Sequence, residues 1–127
     1  MTDDLRVANG RFARGFNCAQ SIFSAFAERF GVSSELALRL SAPFGAGLAR
    51  QGEVCGALSG ALMILGLQYG RDRPNDKEDI YQLAHEFIYQ FQQRHGAILC
   101  RELLGHDIST PEGFRPIRQP RRSSGPA

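Results

Sequence analysis

Cysteine is scarce in this sequence: Cys18, Cys55 and Cys100 are the three in a chain of 127 residues. An odd, widely spaced set does not make a static disulfide framework and points instead to free thiols, ligands or transient redox chemistry. Short-spaced metal pairs are missing, with no CxxC and no HxxxH. So are the GxSxG elbow, HExxH, GxxxxGK[ST] and GxGxxG, which leaves serine hydrolysis, zinc proteolysis and nucleotide binding without a motif to rest on. Long hydrophobic runs are also lacking. The longest, Val54 to Leu67, is 14 residues, short of the roughly 20 that span a bilayer. The chain is therefore expected not to cross a membrane.

Charge of one sign is weak. The formal net charge is +2, and Arg115, Arg118, Arg121 and Arg122 concentrate basic residues in RPIRQPRRSSGPA. The remainder is close to neutral, so no nucleic-acid-binding body is expected. The opening MTDDLRVANGRFARG carries two acids and no basic segment followed by an apolar one, unlike a secretory leader. The expectation is a cytoplasmic protein in a reducing compartment.

What is present is helical periodicity. Leu5, Ala8 and Phe12 suggest a short helix over Asp3 to Arg14, weakened by Gly10. In FNCAQSIFSAFAERFG, Asn17 is a favourable N-cap with Gln20 in capping-box position, and Gly31 is a natural stop. Ala19, Ile22, Phe23, Phe26 and Phe30 fall on one face. Ser34 can cap a third helix that ends before Pro43. FGAGLARQGE reads as a loop, Glu53 to Tyr69 as an apolar helix, and Ile80, Ala84, Phe87, Ile88 and Phe91 as the buried stripe of another. A last apolar piece, AILCRELLG, holds Cys100. With no period-2 pattern, the expected fold is an all-α bundle of five to six helices, one domain over residues 1–110. Residues 111–127, rich in Pro, Gly, Ser and Arg, are expected to be a disordered tail.

Two cysteines fall at expected helix starts. Cys18 follows the cap directly, and Cys55 sits in the first turn of the Glu53–Tyr69 helix, flanked by small residues Gly56, Ala57, Gly60 and Ala61. There, unpaired backbone N–H groups and the helix dipole favour negative charge. The thiolate is the form that attacks disulfides or binds metals. Cys100, in an apolar segment, looks buried. The bland alternative is that each thiol is a small apolar filler.

The segments FNCAQSIFSAFAERFG, APFGAGLARQGEVCGALSGALMILGLQYGR and FIYQFQQRHGAILCRELLG resemble the redox-active protein family named for a C_GCAxxG_C_C cysteine signature. The likeness covers about Phe16 to Gly105, and its most specific element is Cys55, Gly56, Ala57, Leu58, Ser59, Gly60. The resemblance implies a small helical redox protein, often encoded near transporters, with four characteristic cysteines. Three map onto Cys18, Cys55 and Cys100. The fourth is missing here.

Three functions compete. Thiol–disulfide or electron-transfer chemistry would use Cys55 as the attacking thiolate and Cys18 or Cys100 to resolve the mixed disulfide, exchanging with a redox partner protein or a small thiol. A metal or iron–sulfur site would join the three thiolates to His85, His95 or His106. A non-catalytic helical module, such as a homodimer, would use the aromatic faces.

Overall fold

In a computed structural model, residues 3–75 and 77–105 are described. Six right-handed α-helices follow in order: α1 (Asp3–Ala13), α2 (Cys18–Ala27), α3 (Ser34–Ser41), α4 (Gly56–Tyr69), α5 (Glu78–His95) and α6 (Cys100–Leu104). Among the described residues, the β-structure is a single antiparallel bridge between Val54 and Leu99. The all-α expectation holds. No described helix is long and apolar enough to cross a membrane.

The centre of the fold is α2, which packs against α1, α3 and α4. Its buried residues are mostly small: Ala19, Ser21, Ser24, Ala25 and Ala27, with Phe23 as the large exception. Small residues let neighbouring backbones approach, and Phe23 supplies the apolar area, about 1.5–3 kcal/mol for full burial of such a side chain. Phe23, Ala27 and Ala37 form a core cluster covered by Val32, Met63 and Ile64. Each buried serine has a partner, as burial of a hydroxyl demands. Arg11 Nη1 donates to Ser24 Oγ at 2.7 Å, Ser41 Oγ donates to the Ala37 carbonyl at 2.7 Å, and Ser21 Oγ donates to the Phe16 carbonyl at 3.4 Å.

Helix α1 forms where expected and runs through Gly10 without a break. Several other boundaries differ from expectation. The cap of α3 is Ser33, whose hydroxyl accepts from Leu36 N–H at 3.2 Å, one residue ahead of Ser34. A single tight turn, Ala42–Phe44, then accommodates Pro43 near its start, where the missing N–H costs nothing. The apolar helix begins at Gly56 rather than Glu53, because Glu53 to Cys55 are drawn into extended pairing with residues 98–100. In α5 the stripe Ile80, Ala84, Phe87, Ile88 and Phe91 is only half-buried, and no residue of that helix is buried. The cause is that α5 packs mainly on α4 alone. The 111–127 segment lies outside the described residues.

Candidate functional site: three thiols at converging helix starts

Cys18 is the first residue of α2, and the residue before it is locked. Asn17 Oδ1 accepts from Gln20 N–H at 2.8 Å and Gln20 Oε1 accepts from Asn17 N–H at 3.1 Å, the reciprocal capping box. The same two side chains reach across the fold. Asn17 Nδ2 donates to the Ala42 carbonyl and Gln20 Nε2 to the Leu38 carbonyl, both at 3.0 Å. Placement of Cys18 is thereby tied to the end of α3.

Cys55 is the N-cap of α4, at φ −54° and ψ 133°. Its N–H donates to the Ile98 carbonyl at 2.8 Å. Its own carbonyl accepts from Ser59 N–H at 3.0 Å, opening the helix. The glycines that follow bring α4 onto α2. A β-carbon on Gly56 would meet Ala19 N at 3.0 Å and the Phe44 carbonyl oxygen at 3.1 Å, and one on Gly60 would meet the Ala19 carbonyl oxygen at 3.1 Å. Gly56 touches Ala19, so the residues just before them, Cys55 and Cys18, are brought to the same corner.

Cys100 opens α6 and is 8% exposed. Its N–H donates to the Glu53 carbonyl at 2.6 Å, and Arg101 N–H to the Gly52 carbonyl at 3.0 Å. With Val54 opposite Leu99, residue 55 lies opposite 98 and residue 53 opposite 100. Residues 55 and 100 are then diagonal neighbours on one face of the pairing, at a separation of about 7–8 Å or less. Outside the pair, Arg101 Nη1 clasps Glu53 Oε2 at 3.1 Å.

Cys100 responds electrostatically to both other cysteines. Its pKa is pushed up to about 11, first by burial and then by negative charge on Cys55 and Cys18. None of the three thiols is in a disulfide. Cys18 and Cys55, from two separate segments, thus both lie within electrostatic reach of Cys100.

The cover of this cluster was not legible as such. In the segment expected to be a loop, Ala46, Gly47, Leu48, Ala49 and Arg50 have φ of 53°, 70°, 65°, 54° and 69°. They form a left-handed turn after Gly45, in which Ala49 N–H donates to the Gly45 carbonyl. Four of the five carry a β-carbon, and the left-handed form costs each about 1–2 kcal/mol. At its centre, Gly47 has no room for a side chain: a β-carbon would lie 2.5 Å from Glu53 N and 2.7 Å from Cys100 Cβ. The turn is pinned by Glu53 N–H donating to the Gly47 carbonyl at 2.9 Å. The one signal in the sequence was the spacing of Gly45, Gly47 and Gly52.

Among the described residues, His85 and His95 do not join the thiols in a metal-holding group. His85 is exposed on α5, and His95, at the end of that helix, packs its ring on Phe91 with centroids 4.5 Å apart. His106 lies outside the described residues. Among the described residues, no three His, Cys, Asp or Glu side chains are arranged to hold a metal ion. A cavity of about 390 Å³, lined by Tyr69, Arg71, Asp79, Gln82, Leu83 and Glu86, sits at the opposite end of α4 from Cys55. At 1.5 Å per residue that is about 20 Å away.

Comparison with known families gives a match over residues 16–124 to the family described as Putative redox-active protein (C_GCAxxG_C_C). The chain belongs to this family. No curated protein and no solved structure matches it. In this C_GCAxxG_C_C protein, the central motif Cys55 to Gly60 is the cap and first turn of α4. Its two glycines are the contact points with α2. The motif thus combines a thiol with the two positions that let a second thiol-bearing helix approach it.

Proposed function

We propose that this protein performs thiol–disulfide exchange, with Cys55 and Cys100 as the reversible pair and Cys18 as the third thiol of the cluster. The observation that carries the reading is the backbone pairing of residues 52–55 with 98–101, which sets Cys55 and Cys100 as diagonal neighbours. A disulfide needs Cα atoms within about 7 Å; diagonal neighbours sit at about 7–8 Å, so closing the bond takes a shift of about an ångström at the pairing and no rearrangement of the long helices. Family membership supports redox chemistry in general. The partner is a small thiol or the dithiol of another protein, because the cluster lies at a corner where helix starts meet, far from the cavity beside Tyr69. A reducing, cytoplasmic setting suits a pair that cycles.

The test is intact mass after thiol alkylation, on protein treated with a mild disulfide oxidant and again after reduction, with metal content determined on the same sample. Two thiols protected until reduction, mapping to the Cys55 and Cys100 peptides, support the exchange. Three thiols that remain fully alkylatable after oxidant treatment refute it. Protection by a stoichiometric metal would replace it with a cysteine-ligated site.

A further inference from the structure

Resting on the exchange reading, we propose that the left-handed turn Ala46–Arg50 divides the labour between the two thiols: it closes Cys100 to outside disulfides, so that Cys55 receives them and Cys100 only resolves. The α-carbon of Gly47 lies so close over Cys100 that no β-carbon fits between them. The turn is fastened on both sides of that contact, through Gly47 to Glu53 and through Ala46 to Gly52, whose N–H donates at 3.3 Å. Arg101 adds a clasp from the far side of Cys100, reaching the Glu53 carboxylate. Cys55, like Cys18, is partly exposed, whereas Cys100 is buried. Exchange requires the attacking sulfur to approach a disulfide sulfur through a mixed-disulfide intermediate. At Cys100 the turn fills the space an outside disulfide would need, whereas the sulfur of Cys55 shares its face of the pairing.

The steps balance with a small organic disulfide, RSSR, as oxidant. Cys55 gives its proton to solvent, and its thiolate attacks one sulfur, forming the Cys55–S–S–R bond and releasing RS⁻, which takes a proton back from solvent. The Cys100 sulfur then attacks the Cys55 sulfur, forming the Cys55–Cys100 disulfide and breaking the Cys55–S–S–R bond, and its proton passes to the departing thiolate. Two protein thiols are oxidised to one disulfide, and RSSR is reduced to two RSH. Burial that keeps Cys100 protonated fits a thiol that waits for a neighbour.

Strain gives the arrangement a second property. A segment that holds four β-carbon-bearing residues at positive φ is maintained by its surroundings. Opening of the turn is therefore a local event that can be measured separately from global unfolding.

The experiment uses the full reduced chain, glutathione disulfide as probe, acid quenching at intervals and peptide mapping by mass. Cys100→Ser should accumulate a lasting glutathione adduct on Cys55. In Cys55→Ser the adduct should form on Cys100 at least about tenfold more slowly than on Cys55 in Cys100→Ser, given the protonation and enclosure of Cys100. In the unsubstituted chain, iodoacetamide labelling should rank Cys55 ahead of Cys100, with the difference shrinking in mild urea as the turn opens. This second measurement needs no variant to fold. Adducts forming on Cys100 as fast as on Cys55, or first on Cys18, overturn the division of labour while leaving exchange intact. Failure of the unsubstituted chain to form any Cys55–Cys100 link overturns both.

Discussion

Gly47→Ala tests whether the left-handed turn is held by its contact with Cys100. The added β-carbon meets Glu53 N at 2.5 Å, Cys100 Cβ at 2.7 Å and Glu53 O at 2.7 Å. Two of these neighbours are backbone atoms, Glu53 O accepting from Cys100 N–H and Glu53 N–H donating to the Gly47 carbonyl, so they cannot turn aside as a flexible side chain would. Relief requires the turn to lift. Lifting lengthens the bond from Glu53 N–H to the Gly47 carbonyl, now 2.9 Å, worth about 1 kcal/mol net. Overpacking contributes about 1–3 kcal/mol, and the left-handed conformation about 1 kcal/mol more for alanine than for glycine. The expected loss is thus about 3–5 kcal/mol, a large share of the 5–15 kcal/mol that holds a domain of this size. Urea unfolding followed by far-ultraviolet circular dichroism would read it as a midpoint lower by about 2 M, using a slope of about 1–3 kcal/mol per molar. A midpoint within about 0.5 M of the unsubstituted chain would refute the packing argument, since the smallest loss expected, about 3 kcal/mol, still moves it by about 1 M at the steepest slope.

Other expectations are as direct. Ala49, at φ 54° and ψ 46°, should gain about 0.5–1 kcal/mol when changed to glycine, the strain relieved exceeding the added chain freedom; a lower urea midpoint for Ala49→Gly would contradict this. Asn17→Ala removes the capping box and the bond to Ala42, so stability should fall by about 1–2 kcal/mol and the placement of Cys18 should loosen. Faster alkylation of Cys18 reports the second effect, and an unchanged rate denies it. Folded Cys100 keeps its proton to about 11 against an ordinary 9.0, so below that window both states are protonated and the thiol contributes nothing. Within it the unfolded chain releases the proton first, and rising pH costs up to about 2–3 kcal/mol of stability. Urea midpoints should drop more steeply for the native sequence than for Cys100→Ala, and parallel curves would refute the assignment.

Legibility of this chain in its sequence divides along local and non-local lines. The capping box at Asn17 and Gln20 was readable because both partners lie within four residues, and it placed Cys18 correctly. The start of α4 was misplaced by three residues because Glu53, Val54 and Cys55 pair with a segment some 45 positions later, which no local pattern announces. The left-handed turn was hidden for a different reason. Ala46, Leu48, Ala49 and Arg50 are ordinary right-handed helix formers, and their conformation is imposed by Gly47 against Cys100 and Glu53. In α5, periodicity identified which face is apolar, but how deeply it is covered depends on neighbours, and packing mainly on α4 leaves it half-buried. Three cysteines could be chosen as the candidate site from sequence, yet their convergence needed the α2–α4 glycine contacts and the bridge together.

The pairing of Val54 with Leu99 also makes the chain between Cys55 and Cys100 a closed loop, with α4 and α5 as its two arms. A covalent link at its base would restrict a stretch of 45 residues, lowering the entropy of the unfolded chain by the equivalent of about 4 kcal/mol. Most of α4 has other attachments through α2. Helix α5 has no buried residue and packs mainly on α4. Oxidation would accordingly be felt at α5, whose amide protons should exchange more slowly in the disulfide form although the thiols lie outside that helix. The protein would then carry a record of its redox state in the motions of an arm that has no cysteine.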